Sequence, residues 1–304
     1  MDGRQIILYV AHGAECYVQE AAYSILSLWR QPDAQRYEVV VVSDRPERFL
    51  ACLEDRPGLH LLKLEAAQRD AWRGPQGYIH RIKPLAIQWA ARQMQAQASD
   101  RFVYVDSDTV FTASPAPLFD AVGRGEVVLN EREGSLGELR SNTRSHRRLF
   151  EACQGRPFRI RGREAQIPLA VGLWNSGVLG FGGDLLPVFD ETVELIDQMF
   201  PVVPVHTVEQ VALSVVLQDR GIVLQECLRD VFHYHVFKEF REDLARYFER
   251  YGAAPLAERL AHWPEIDPVQ RIQPKLAFNA QPKWRRQWQK LLGRRWQPLP
   301  YPWH

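Results

Sequence analysis

Short apolar runs along the chain alternate with longer stretches in which apolar residues recur at helical spacing. Residues 6–11 are an apolar run closed by His12-Gly13, the pattern of a buried strand entering a turn. Between 16 and 30, Val18, Ala21, Ala22, Ile25 and Leu28 share one helical face. Residues 38–43 hold four consecutive valines and end at Asp44-Arg45-Pro46. Such β-branched side chains pack well on a pleat, and the length suits a central parallel strand. A third run covers 59–64, the Ala- and Gln-rich segment 84–97 reads as a helix, and 101–105 reads as a strand stopping at Asp106. This alternation predicts an α/β fold with a mostly parallel sheet covered by helices. Right-handed crossovers put the carboxyl ends of those strands on one side, where ligands bind. His12-Gly13, Asp44 and Asp106-Ser107-Asp108 are therefore expected at one crevice.

The second half is less regular. Residues 171–181 read as a strand with a kink at Asn175-Ser176-Gly177, 185–199 and 207–218 as helices, and 222–225 and 230–234 as short strands. Residues 240–251 read as a charged helix. Thr207-x-x-Gln210 fits a capping box, in which each side chain satisfies an orphan backbone N–H. No linker signal precedes residue 254, so 1–267 is expected to be one domain and 268–304 an extension.

Composition adds a charge asymmetry. The 304 residues carry 38 basic and 37 acidic side chains, but none of the acidic ones follows Asp267. Arg271, Lys275, Lys283, Arg285, Arg286, Lys290, Arg294 and Arg295 do follow it, leaving 30 basic against 37 acidic residues in an acidic body. No apolar run approaches the roughly 20 residues of a membrane span, and the opening run is too short for a signal peptide. The four cysteines show no C-x-x-C spacing, so a zinc cluster or dense disulfide framework is not expected and a reducing cytoplasm is.

The strongest candidate chemistry is Asp106-Ser107-Asp108. Two carboxylates at a strand end suit a hard divalent cation such as Mg²⁺ or Mn²⁺, which takes oxygen ligands and substrate phosphates. The pattern alone proves little: with 16 aspartates in 304 residues, chance gives about one Asp-x-Asp. Its place after Phe102-Val103-Tyr104-Val105 and before the apolar Thr109-Val110-Phe111 holds both carboxylates at the sheet edge.

At this point residues 5–240 resemble a GT-A type glycosyltransferase, nearest the glycogenin-like and bacterial galactosyltransferase-like (family 8) enzymes. The matching pieces are the opening strand and helix, Arg81-Ile82-Lys83-Pro84, the strand ending in Asp106-Ser107-Asp108, Trp174-Asn175-Ser176-Gly177, Glu209-Gln210, and His233-Tyr234-His235 with Lys238. The resemblance implies a GT-A, Rossmann-like catalytic domain using a nucleoside diphosphate sugar, a UDP-sugar by preference. It makes Asp108 the main metal ligand and sets Asp106 on the ribose or the metal. A late histidine completes the metal shell; His233 and His235 are the candidates, and His233 fits the pattern better, although the usual glycine after it is missing. Glu209-Gln210 resembles an acidic-amide pair facing the sugar, whereas as structure it is a cap and a complement to the helix dipole. Asn175 is the other sugar-side candidate, or simply part of a β-bulge. Lys238, Lys83 and Arg81 are placed to oppose the charge of a leaving diphosphate. At the nucleotide end, Gly13 permits close backbone approach, His12, Asp44 and Ser107 offer polar contacts, and Tyr17 a stacking ring. Neither G-x-G-x-x-G nor a P-loop is present.

In the extension, residues 282–293 read as a helix with Trp284, Trp288, Leu291 and Leu292 on one stripe and Lys283, Arg286, Lys290 and Arg294 mainly away from it. This stripe either packs on the acidic body or lies, with residues 282–296, in an anionic membrane surface. A nucleic-acid partner is not expected. The chain is accordingly expected to be a cytoplasmic hexosyltransferase, peripheral on the inner membrane face, with a glycan, lipid or protein acceptor. Retention of configuration is favoured by the resemblance. The rivals are a nucleotidyltransferase acting on a sugar phosphate, disfavoured by the acidic His12-Gly13-Ala14-Glu15 loop, and a non-catalytic nucleotide-sugar-binding protein.

Overall fold

A computed structural model describes residues 3–227 and 229–303; Met1, Asp2 and His304, the ends of the two expected segments, lie outside the described residues. Among the described residues there are eleven strands: β1 (Gln5–Val10), β2 (Glu38–Ser43), β3 (Leu59–Lys63), β4 (Arg101–Val105), β5 (Thr109–Phe111), β6 (Val127–Ser135), β7 (Pro157–Ile160), β8 (Arg163–Gln166), β9 (Gly172–Gly182), β10 (Leu224–Glu226) and β11 (Val231–His233). Seven form one sheet in the order β10-β6-β9-β4-β1-β2-β3. Its pairs are parallel except those of β9, which runs against both β4 and β6.

The continuous apolar runs follow from burial on both faces of the sheet. Ile6, Leu8, Val40, Val42, Phe102 and Tyr104 enter one core, with the helices Ile82–Gln93, Val188–Met199 and Val208–Asp219. Their neighbours Ile7, Tyr9, Val39, Val41, Val103 and Val105 enter the other, with the helices Glu15–Trp29 and Phe240–Tyr251. The strand period of two sends successive residues to opposite layers, so a doubly covered strand has few places for a polar residue. This is the mixed α/β architecture expected, with a helical C-terminal extension.

Several local expectations shift. The helix expected at 84–97 is Ile82–Gln93, which puts Pro84 in its first turn, where the missing N–H costs nothing. Strand β9 runs unbroken through Asn175-Ser176-Gly177; the irregularity lies in its pairing with β6, whose register shifts between Leu129 and Glu131 and again between Arg132 and Gly134. The Thr207–Gln210 capping box does not form. Thr207 has φ −85° and ψ 5°, outside the extended region from which a cap side chain folds back. The Glu209 N–H is instead taken by the Tyr78 hydroxyl at 3.0 Å. A capping box forms at Ser135 and Glu138.

The extension is tied to the body at both ends. Buried Arg271 pairs with Asp243 and donates to the carbonyls of Leu299 and Pro300. Tyr301 lies under Arg246, Trp296 against Phe237 and Trp303 against Tyr251. Between these anchors the helix Lys283–Leu291 stands out, with Trp284, Trp288 and Leu291 exposed by 65, 63 and 81%. Its apolar stripe therefore does not pack on the body. Among the described residues, no helix is long and apolar enough to cross a membrane.

Candidate active site

A cavity of about 1280 Å³ opens at the carboxyl ends of β1 and β4, as the topology requires. His12, Gly13, Asp106, Ser107 and Asp108 line it, together with Asn175, Glu209, Gln210, His233, His235, Lys83, Lys238 and Tyr17.

The acidic loop is positioned from below and from the side. Beneath it, the Thr109 hydroxyl donates to the Asp106 carbonyl (2.8 Å) and joins a buried chain through Ser24 Oγ (3.1 Å) to the Tyr9 hydroxyl (3.0 Å). Beside it, β11 pairs antiparallel with β5, setting His233 opposite Thr109, and the Tyr234 N–H donates to the Asp108 carbonyl at 3.0 Å. His233 Nε2 then lies 3.3 Å from Asp108 Oδ1 and 3.9 Å from Asp106 Oδ2. This approach requires Gly177. A Cβ there would stand 2.2 Å from His233 Cε1 and 2.3 Å from Nδ1, which no packed structure accepts.

Asp106, Asp108 and His233 each present a ligand atom, all within 4.8 Å of one another, so the cluster can hold a divalent cation. Two oxygens and one imidazole nitrogen suit Mn²⁺ or Mg²⁺ better than a thiophilic metal. Lys238 Nζ occupies the other side of Asp108, 2.5 Å from Oδ2. Burial raises the Asp108 pKa, but the hydrogen bonds and charges of His233 and Lys238 outweigh it and hold the carboxyl well below the ordinary range. His235 stays outside the cluster, its ring 4.7 Å from that of His233.

A second network sits next to the first. Lys83 Nζ donates to the Ser176 carbonyl (2.6 Å) and Oγ (3.0 Å) and lies 3.4 Å from Asp106 Oδ1. Ser176 Oγ donates to Glu209 at 3.2 Å, and the Tyr104 hydroxyl donates to Asp106 at 2.5 Å. Burial pushes the Glu209 pKa up; Lys83 counters it and Asp106 adds to it. Tyr78 braces this side, since its hydroxyl donates to the His206 carbonyl at 2.6 Å and accepts from Glu209 N–H. Asn175 Oδ1 accepts from the Gly177 N–H at 2.9 Å, and its amide reaches Glu133 at 3.4 Å. Gln210 lines the cavity without a role in the cap.

After β1, Gly13 takes φ +91° and its N–H donates to Asp44 at 3.1 Å. Asp44 also accepts from Arg69, so it shapes the turn under the cavity and is absent from its lining. Arg81 points away: it forms a two-pronged pair with Asp197 at 2.7 and 2.8 Å and is also absent from the lining. Arg241, by contrast, lines the cavity, 5.0 Å from the Tyr17 ring and paired with buried Glu20, which in turn accepts from Ser107.

Sequence reasoning missed Arg241, Glu20 and an outer wall built from Glu131–Glu133, Leu139, Asn142, Thr143, Ser145 and His146. It also missed His80, His146 and His206, so that six of the nine histidines line this cavity. None of these sits in a motif. The clustering of histidines becomes visible only when five separate segments meet.

No protein-family model matches the chain, and no curated protein matches it in sequence. Solved structures do. The galactosyltransferase LgtC, solved with donor and acceptor sugar analogues, superposes with a TM-score of 0.53 at 13% identity over 84% of this chain and 95% of that one. Mouse xyloside xylosyltransferase 1 gives 0.47 at 14% over 74% and 85%. The glycosyltransferase GlyE of Streptococcus pneumoniae gives 0.49 at 14% over 86% of this chain and 63% of that one. The likeness to LgtC shows a shared fold of the GT-A type.

Proposed function

We propose that this chain is a hexosyltransferase that moves a sugar from a nucleoside diphosphate sugar, UDP-linked by preference, to a hydroxyl of an acceptor, with Mn²⁺ or Mg²⁺. The observation that carries the reading is the Asp106–Asp108–His233 cluster at the carboxyl edge of the sheet, one residue network away from Glu209 and Asn175. The fold shared with a galactosyltransferase solved with two sugar analogues supports a cavity sized for donor and acceptor. When bound, the cation supplies Lewis-acid stabilisation of the departing diphosphate.

The chain's own residues do the rest. Asp106, Asp108 and His233 would hold the cation. Lys238, half exposed and resting on Asp108, is free to turn to a phosphate oxygen and add a fixed positive charge where negative charge develops. Gly13 lets the nucleoside approach the backbone, and Tyr17 offers its ring to the base. Asn175, Gln210 and Glu209 face the sugar. Glu209 is held by Ser176 and Lys83 rather than free to take a proton from the acceptor, which favours retention of configuration.

A thermal-shift screen with UDP, GDP, CMP and ADP, each with and without Mn²⁺, tests the reading. Stabilisation by one nucleoside diphosphate only in the presence of metal is the expected result, since a ligand of the folded state raises stability with saturation. No shift with any nucleotide would remove it. Release of nucleoside diphosphate on adding a sugar donor separates an enzyme from a binding protein, and formation of a new nucleotide sugar would mark a nucleotidyltransferase.

The uncovered Trp284–Trp288–Leu291 stripe, on a helix with four basic residues, supports a cytoplasmic enzyme docked peripherally on an anionic membrane face. Flotation with phosphatidylglycerol vesicles should carry the full chain but not a Trp284→Ser/Trp288→Ser variant. Equal flotation of the two would discard the docking. Point variants are preferable to truncation, because removing residues 268–304 would also remove buried Arg271.

A further inference from the structure

The loop that carries Lys238 has two faces. Residues 234–239 join β11 to the helix Phe240–Tyr251 without regular structure. His235 and Lys238 line the cavity, whereas Val236, Phe237 and Glu239, interleaved with them, are absent from its lining. This second face meets the C-terminal extension.

Lys275, on the helix Gln273–Asn279, makes most of that contact. Its Nζ donates to the Val236 carbonyl at 2.6 Å and to the Glu239 carboxylate at 2.7 and 3.0 Å. The same ammonium stands 5.9 Å from the centre of the Phe237 ring and 5.4 Å from that of Trp296. Phe237 is buried and meets Trp296 edge to face, with ring centres 5.9 Å apart. Trp296 is held in turn by the end of the chain, where Arg271 takes the carbonyls of Leu299 and Pro300. One cation and one indole of the extension therefore grip the loop at Val236, Phe237 and Glu239. An ammonium has three donors, enough to serve a carbonyl and a carboxylate together. The Lys275 side chain is only 17% exposed, so these ties are partly shielded from solvent screening.

Holding the extension on the body does not require a grip at this place, since Arg271 pairs with Asp243 and Arg246 stacks on Tyr301 away from the loop. Lys238 does require it. Its backbone is set by the residues gripped on either side of it, and its ammonium rests on Asp108 at 2.5 Å. A catalytic charge displaced by about 1 Å can cost about a hundredfold in rate.

We propose that Lys275, together with Trp296, is a positioning residue: it fixes loop 235–239 so that Lys238 stays within reach of Asp108 and of the leaving diphosphate. The inference rests on the transferase reading above and extends that site to a residue of the extension.

The test uses the full chain as wild type, Lys275→Met, Lys238→Met, the double variant, and Arg246→Gln as a control at another contact of the extension. Hydrogen–deuterium exchange without ligand reads the hold on the loop. Residues 235–239 should exchange several-fold faster in Lys275→Met and at the wild-type rate in Arg246→Gln. Hydrolysis of UDP-galactose or UDP-glucose with Mn²⁺, water replacing the acceptor, reads the chemistry. Lys275→Met should lower kcat at least about tenfold, with donor KM changed less than about twofold, because the charge opposed develops in the transition state. In the Lys238→Met background the same substitution should have no further effect, since two residues acting through one group are not additive. A retained thermal shift on UDP and Mn²⁺ shows that Lys275→Met is folded. Glu239→Gln, which weakens the same tie from the loop side, should move exchange and kcat in the same direction and keeps the test decisive if Lys275→Met does not fold. Equal losses in both backgrounds, a matching loss in Arg246→Gln, or unchanged exchange of the loop overturns the proposal and leaves Lys275 as packing alone. Failure of the transferase reading looks different: loop exchange accelerates in Lys275→Met while no protein, the wild type included, releases UDP.

Discussion

The inner and outer walls of the cavity are built on opposite plans. On the inner wall the carboxylates are held by other groups: Asp106 by Tyr104, Lys83 and the Gly177 carbonyl, Asp108 by His233 and Lys238, Glu209 by Ser176 and Tyr78. On the outer wall, among the described residues, the side chains of Asn142, Ser145 and His146 line the cavity without a hydrogen-bond partner. The difference fits a division of labour. Chemistry that must stabilise developing charge needs groups fixed before the reaction, because reorientation would cost what the interaction returns. Recognition at a rim tolerates mobile side chains, since each contact is screened by solvent and contributes little.

Four changes test that contrast, the most severe first. Asp108→Ala should lower metal affinity and turnover at least about a hundredfold, beyond the usual cost of losing even a group that supports a metal ligand. The fold should survive with a loss of about 1–3 kcal/mol. Isothermal titration with Mn²⁺ beside a nucleotide-release assay reads both effects, and ordinary metal affinity in the variant would take Asp108 out of the site.

Gly177→Ala probes the fixed wall without touching a ligand. The added methyl must displace the His233 ring, so metal affinity should fall about 10–100-fold, with about 1–3 kcal/mol of overpacking. A variant that binds Mn²⁺ normally would show that His233 does not need its present position.

Lys238→Met works in the opposite direction. Lys238 competes with a cation for Asp108, but it is half exposed, so the pair is worth no more than about 1 kcal/mol. Mn²⁺ affinity should rise by up to about fivefold while turnover falls, a split visible by combining electron paramagnetic resonance titration with kinetics. Parallel loss of both would mean that Lys238 only supports the loop.

The smallest effect concerns His12. Burial, with Arg69 and Arg73 nearby, lowers its pKa below the ordinary histidine value, although Asp44 opposes the shift. The unfolded chain then takes up this proton first, so the contribution to stability is present above the ordinary histidine pKa and lost as pH falls through the folded value. Melting followed from pH 7.5 to 5.5 should decline less steeply in His12→Gln than in the wild type; identical slopes would rule out this contribution.

Much of the site could be read from one dimension because its pieces sit at strand ends. A doubly buried parallel strand is a continuous apolar run, and the first polar residues after it, His12 and Asp106, mark where the sheet meets solvent. Arg81 and Asp44 carried the same kind of signal, yet the structure turns Arg81 to Asp197 and draws Asp44 under the Gly13 turn. A charge beside a motif does not say which way its side chain turns. Arg241 shows the converse, since nothing in its helical context marks a cavity-lining residue.

Periodicity and strand-end chemistry in the sequence alone determined the layered α/β order, the crevice at the carboxyl edge and the pair Asp106 and Asp108. Only the tertiary structure decided which histidine joins them, because that depends on β11 pairing with β5 across more than a hundred residues of chain and on Gly177 leaving room for the ring. It also decided that the Trp284 stripe stays uncovered and that Asn142, Ser145 and His146 reach the cavity. Local pattern reports whether a residue is buried or exposed on its own element. Which other element it meets is set by long-range packing, which leaves no periodic trace in the sequence.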